Sequence, residues 1–226
     1  MKPAGTYLGL PEGLAPVFVR IYEAARPMLA TRGNDVHVQI SLQFAMELME
    51  REGGDPRVVI PAVILHDVGW SEVPEKQQRR AYGPGSTDGK LNRLHEQAGV
   101  RLAREILRDQ RYHPVLTAEI CRIIAGHDSI PTAETVGEAV VKDVDKLWRV
   151  SKEGLPVTMA ILPDLTVQQI HDFVAVRVPR WFLTVTGHDA ALRELAARRE
   201  EYGLGPAPDI PPPGGYGIGD RQEYAT

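Results

Sequence analysis

Apolar residues recur at helical spacing through most of the chain and β-signals are few, so the pattern predicts an all-α protein. Leu14 to Leu29 sets Val17, Ile21, Ala24 and Leu29 near one face. Pro16 suits its first turn, whereas Pro27 is expected to kink or stop it. A second helix, capped by Asn34 or Asp35, is expected to run to about Arg51 and to bury Ile40, Phe44, Met46, Leu48 and Met49. Gly53-Gly54 ends it, and Asp55-Pro56 opens a third by the cap-then-proline pattern. That helix, Pro56 to about His66, is apolar almost all round and is therefore expected at the centre.

The periodicity then breaks. Trp70 to Leu91 mixes Pro74, Gly83, Pro84, Gly85 and Gly89 with Lys76, Arg79, Arg80 and Lys90, as a functional loop or a disordered segment does. Helices resume over Leu91 to Gln110, with Leu94, Ala98, Leu102, Ile106 and Leu107 on one side. They continue from His113-Pro114 to about Gly126-His127, and from Val136 to about Val150 behind Thr132 or Thr135 as caps. A second helical section covers Thr166 to Val178 and His188 to Glu201, with Trp181 and Phe182 as anchors for core packing or an interface. From Gly203 the chain is Pro/Gly-rich and reads as a mobile or draped tail. The division expected is a lead-in and helix over 1–33, a core domain over 34–150, C-terminal helices packed on it over 151–202, and a tail over 203–226.

Composition narrows the class. Of the 226 residues, 43% are hydrophobic and 25% charged, ordinary values for a globular protein able to bury a substantial core. The formal net charge of −4 gives no reason to expect nucleic acid as an obligate partner. Cys121 is the only cysteine, so an internal disulfide and a thiolate metal cluster are both excluded. Met1 to Leu10 lacks the basic-then-apolar order of a signal peptide, and no apolar run approaches the roughly 20 residues that span a bilayer. A cytoplasmic protein with no membrane partner is the expectation. Oligomeric state is left open.

The candidate chemistry centres on Val63-Ile64-Leu65-His66-Asp67-Val68-Gly69-Trp70, where an apolar run delivers an adjacent His and Asp at a helix end. Neighbouring side chains in mid-helix point about 100° apart, but at a helix end both can reach one centre. His37 and His95 lie near helix starts, His127 closes Ile123-Ile124-Ala125-Gly126-His127, and Asp143 and Asp145 sit in Val140-Val141-Lys142-Asp143-Val144-Asp145-Lys146-Leu147-Trp148. Polar groups in such apolar segments are costly unless paired or liganded, and five helices can aim them into one interior. Singly, a histidine is more often hydrogen-bonded than a ligand, and Asp143 and Asp145 could simply pair with Lys142, Lys146 or Arg149. His113, His171 and His188 fit no cluster and are assigned to the surface or to caps.

The order His37, His66-Asp67, His95, His127, Asp145 resembles the HD-domain metal-dependent phosphohydrolase superfamily, over about residues 34 to 150. The extra His95 and His127 resemble its dinuclear members. The resemblance implies an all-α HD-domain bundle with additional C-terminal helices. In it His37, His66, Asp67 and Asp145 hold one ion, and Asp67 bridges to a second held by His95 and His127. Asp145 is preferred to Asp143, which becomes a supporting residue, because the family's Asp directly precedes a basic residue and Leu. Two divalent transition-metal ions are implied, Fe or Mn first, with Ni, Co and Zn open to the same nitrogen and oxygen donors. His66 and Asp67 are the implied catalytic pair, acting through a metal-activated hydroxide. The substrate is a phosphomonoester, a nucleotide or a related small phosphate, with Arg79, Arg80 and Lys146 assigned to its charge and Trp70 to the pocket wall or to packing. Two alternatives accompany this reading. One is an HD-domain diiron oxygenase acting on an organophosphonate or polyol, for which Tyr22 and Glu23 are the nearest positioning residues. The other is a non-catalytic, metal-stabilised binding protein.

Overall fold

The computed structural model describes residues 9–78, 81 and 89–209, and every structural statement below concerns them. They form an all-α fold of eleven helices with no strand. These are α1 (Pro16–Leu29), α2 (Asn34–Glu52), α3 (Pro56–Leu65), α4 (Glu75–Gln78), α5 (Gly89–Asp109), α6 (Pro114–Ile124), α7 (Val136–Leu147), α8 (Gly154–Ile161), α9 (Val167–Ala175), α10 (Val178–Trp181) and α11 (Val185–Glu201). Two 3₁₀ turns, Val68–Glu72 and Trp148–Val150, continue α3 and α7 past their ends. None of the helices is long and apolar enough to cross a membrane.

Helix α3 is the axis of the core. Asp55 caps it by accepting from the Arg57 amide at 2.8 Å, Pro56 occupies its first turn, and every residue from Val58 to Leu65 is buried. Helices α1, α2, α6 and α7 pack around it. Helix α5 lies along the Val68–Glu72 turn and against α6, and α11 covers α7 and α2 from the C-terminal side.

Several local expectations change in three dimensions. Helix α1 runs through Pro27 to Leu29, because a proline one turn from the end removes little of the hydrogen-bond ladder. Neither Asn34 nor Asp35 caps α2. Gly33, at φ 73°, stands at the cap position, and the Asn34 side chain instead donates to the Asp67 carbonyl at 3.4 Å. Left-handed backbone at Arg32 and Gly33 turns the chain sharply here, so conformation starts the helix and not a side-chain cap. Met46 and Leu94, expected on buried faces, are 41% and 53% exposed. The buried stripe of α5 runs through Leu91, His95, Leu102 and Ile106, one position round from Leu94. Thr135 caps α7 by accepting from Glu138 N at 3.1 Å, while Thr132 offers its carbonyl to Lys142. Helix α8 forms between the helices expected over Val136 to Val150 and Thr166 to Val178, where no element was expected.

Asp143 does not support a metal cluster. It is fully buried on the opposite side of α7 and accepts from Leu183 N at 2.7 Å, Thr184 N at 2.9 Å and Thr184 Oγ1 at 2.6 Å. The carboxylate thereby fastens the start of α11 to α7. His171 on α9 and His188 on α11, assigned to the surface or to caps, are both buried, and His171 Nε2 bonds the Leu195 carbonyl at 3.0 Å. His113 does cap a helix, accepting from Val115 N at 3.3 Å. At the start of the expected tail, Gly205 N donates to Gln168 Oε1 at 2.8 Å, which drapes that part on α9; the lead-in 1–8 and the tail from 210 lie outside the described residues. Asp143→Asn keeps one oxygen to accept but sets its NH2 against one of the two backbone donors, and is expected to cost about 2–3 kcal/mol of stability, read as a lower urea midpoint at unchanged slope.

Candidate metal centre

Five helices deliver side chains to one interior point. His37 comes from the first turn of α2, His66 and Asp67 from the end of α3, His95 from α5, His127 from just past α6, and Asp145 from α7. All six are buried, the most exposed being Asp67 at 6%. Their ligand atoms form two groups, each closing within 4.8 Å: His37, His66, Asp67 and Asp145 in one, and Asp67, His95 and His127 in the other. Asp67 belongs to both. Its Oδ2 faces His37 Nδ1 at 3.3 Å, and its Oδ1 lies 3.6 Å from His127 Nε2 and 3.8 Å from His95 Nε2.

The local backbone explains how adjacent residues converge. Past Leu65 the helix tightens into the Val68–Glu72 turn, which rotates Asp67 relative to His66. Gly69 makes this feasible, since a Cβ there would sit 1.9 Å from the His95 carbonyl oxygen and 2.5 Å from Gly99 N. The absence of a side chain is what lets the His-Asp turn touch α5.

Two observations test whether these donors suit a cation. The Nε2 atoms of His37 and His66 are buried without a hydrogen-bond partner. The Nε2 atoms of His95 and His127 face each other at 3.2 Å, while their Nδ1 atoms lie 3.3 and 2.9 Å from the carbonyls of Leu91 and Ile124. A carbonyl only accepts, so the Nδ1 atoms carry hydrogen and two Nε2 lone pairs would meet unless a positive charge lies between them. The donor set fits a divalent transition metal.

Without such an ion, protons perform this role unevenly. Burial drives His37 down to about 4 despite its bond to Asp67. Burial, with the charge of His127, also drives His95 to about 4. Burial opposes charge on His127 too, but Asp67 and Asp128 outweigh it and raise its pKa to about 9. The Asp67 and Asp145 carboxyls lie well below the usual range: burial works against their charge, but the histidines prevail at Asp67, and Lys146 and Arg149 at Asp145.

A cleft of about 200 Å³ opens onto the cluster, lined by Arg32, Asp67, Trp70, Ala81, Asn92, Asp128, Asp145, Lys146, Arg149, Phe173 and Trp181. Lys146 Nζ reaches Asp145 Oδ2 at 2.5 Å and Asp128 Oδ1 at 3.4 Å. Burial works against its charge, but these carboxylates raise its pKa and keep it charged. Trp70 does form part of the wall. Trp181, read as a core or interface anchor, also lines the cleft, whereas Phe182 enters the core. Arg79 and Arg80 lie outside the described residues, and Lys76 is exposed.

A model of the HD domain matches residues 35–149, about half of the chain, and spans all six of these residues. The chain belongs to the HD-domain family. No curated protein and no solved structure matches it. Members of this family are typically metal-dependent hydrolases, and the buried His and Asp groups of this HD domain are able to hold metal ions. Asp128, Arg149, Arg32, Asn92 and Phe173 at the cleft were not anticipated from sequence. Asp128 follows His127 directly and Arg149 lies four residues past Asp145, which are usable signals; Arg32, Asn92 and Phe173 offered none.

Gly69→Ala is expected to destabilise the HD domain by about 3 kcal/mol or more and to abolish metal retention, checked by thermal unfolding and metal analysis. The metal-free protein should be most stable near pH 6.5. His37 and His95 titrate lower when folded, so their contribution is lost as pH falls from 6.5 through about 4; His127 titrates higher, so its contribution is lost as pH rises through about 9. Urea unfolding across pH 4–9.5 reads this curve. Below about pH 9, filling the His127 side should release about one proton, measurable with an indicator dye.

Proposed function

We propose that this HD domain is a metal-dependent phosphohydrolase acting on a phosphomonoester, a nucleotide or a related small phosphate. The observation that carries the reading is Asp67, one buried carboxylate shared by two ligand groups at the floor of a cleft lined by three cations. Held by His37, His66, Asp67 and Asp145 on one side and by Asp67, His95 and His127 on the other, two divalent ions, Mn or Fe first, would lower the pKa of water and offset charge on the transferring phosphoryl group. The protein's own residues do the rest. Arg32, Lys146 and Arg149 supply fixed positive charge to orient the phosphate oxygens. Phe173 and Trp181, whose rings meet edge to face at 5.6 Å, form a dry wall facing the organic part. Asn92 presents a side-chain oxygen that has no partner among the described residues, an acceptor for a hydroxyl or amine of the substrate.

The diiron oxygenase ranks second, because the residues it would use lie elsewhere. Tyr22 is in the core, accepting from Gln39 Nε2 at 2.9 Å, and Glu23 is exposed beside Arg26 at 3.5 Å. The purely structural reading is disfavoured by the cleft that opens onto the ligands.

A panel of phosphomonoesters and nucleotides, assayed for phosphate release with Mn(II), tests the proposal. His66→Ala and Asp67→Ala are each expected to cost on the order of 10³-fold in rate, the scale of several kcal/mol of lost charge stabilisation. Lys146→Ala is expected to lower kcat/KM by about 10–100-fold, as loss of a charged contact does. Oxygen uptake that requires Fe(II) and a phosphonate or polyol, with no phosphate released from the ester panel, would replace hydrolysis with oxidation.

A further inference from the structure

The four imidazoles of the cluster are oriented by two different means. His66 and His127 each follow the end of a helix and direct Nδ1 at the carbonyl three residues back, Val63 at 2.8 Å and Ile124 at 2.9 Å. Those short bonds set both the tautomer and the ring plane. His37 has no bond of this kind among the described residues; its Nδ1 and Nε2 face Asp67 Oδ2 at 3.3 Å and Asp145 Oδ1 at 3.5 Å. His95 has the longest, 3.3 Å to the Leu91 carbonyl. These two loosely bonded rings are the ones on which an indole is stacked. Trp148 lies on His37, with centroids 4.5 Å apart and planes at 20°, and Trp70 lies on His95 at 4.1 Å and 12°.

The two tryptophans share a sequence position. Asp67-Val68-Gly69-Trp70 and Asp145-Lys146-Leu147-Trp148 each place Trp three residues after a carboxylate of the cluster. Each does so where an α-helix gives way to a 3₁₀ turn. At about three residues per turn, positions i and i+3 fall on one side, so the indole returns to the side of the carboxylate. Trp70 closes the contact with a hydrogen bond from Nε1 to Asp67 Oδ1 at 3.1 Å. A guanidinium lies beyond each indole, Arg32 at 4.2 Å from the Trp70 ring and Arg149 at 5.6 Å from that of Trp148. Imidazole torsion about its outer bond is broad, and a flat partner in contact with the ring face restricts it.

We infer that Trp70 and Trp148 are positioning residues, one for each half of the metal centre, holding by stacking the imidazole that no short backbone bond orients. The inference rests on the two-ion reading above. Trp70 acts on His95 in the half built with Asp67 and His127, and Trp148 acts on His37 in the half built with His66, Asp67 and Asp145. Neither is a ligand. Their loss should weaken metal binding by about 10–100-fold, the usual scale for a residue that orients a ligand.

The test is titration of Mn(II) alone into metal-depleted protein, with binding as the readout. His127→Ala leaves the His37 half and His37→Ala leaves the His95 half. In the first background Trp148→Leu should weaken Mn(II) binding at least tenfold more than Trp70→Leu does; in the second the order should reverse. Trp148→Phe and Trp70→Phe keep an aromatic face and should recover most of the affinity, with the residual loss confined to the same half. The phenylalanine pair decides the matter if a leucine variant fails to fold. Equal effects on both halves, or none, would overturn the inference while leaving the two-ion reading intact. A wild-type protein that takes up fewer than two Mn(II) ions would overturn both.

Discussion

A carboxylate with about 6% exposure, surrounded by imidazoles from four helices, is the constraint on which this structure depends. An ion removed from water costs several kcal/mol unless it is paired and hydrogen-bonded. Asp67 meets that condition only when the beginnings of α2 and α5 and the ends of α3 and α6 converge on it. The apolar packing around α3 brings those helices together, and the shared charge decides where along their lengths they meet. The Asp145 carboxylate on α7 completes the arrangement, itself compensated by Lys146 and Arg149.

Helix ends do much of the chemical work. His66 and His127 sit where a helix stops, so their rings fold back onto the last carbonyls and leave Nε2 aimed inward. Glu96, next to His95 and 2% exposed, accepts from Asp128 N at 3.0 Å and Ser129 N at 2.8 Å, which pins the turn after His127 to α5. Gly69 brings the turn after Asp67 against the same helix. Helix α5 is thus tied to both of the turns that carry ligands, and the His95 ring is held between them.

The cleft adds function to this frame. Its cations come from three elements: Arg32 from the turn before α2, Lys146 from α7, and Arg149 from the turn that follows it. Phe173 and Trp181 of its apolar wall come from α9 and α10, outside the part matched by the family model. The helices beyond residue 150 therefore shape the space in front of the buried His and Asp cluster, so they bear on what fits there.

Much was legible in the residues alone. Periodicity separates helices from loops because each helix must present one apolar stripe to the core, and α3, apolar on every side, has to be central. The order His37, His66-Asp67, His95, His127, Asp145 also stands in the sequence, and these residues do meet. Their meeting shows in one dimension because each lies in an apolar helical segment or directly past its end, where local pattern and burial are linked. Other features had no such link. Leu94 and His95 are adjacent on α5, yet one faces solvent and the other the cluster, a matter of about 100° of helix rotation that neighbouring helices decide. Asp143 and Asp145 are two residues apart and point to opposite sides of α7, one to the start of α11 and the other to the ligands. Arg32, Asn92, Phe173 and Trp181 share a cleft although they are far apart along the chain. Local pattern specifies which stripe of a helix is apolar, but the partner met by a polar side chain is set by packing among distant segments. The chain by itself therefore determined the helices and the order of the His and Asp residues, and the tertiary structure alone decided what lines the cleft and which rings the tryptophans stack on.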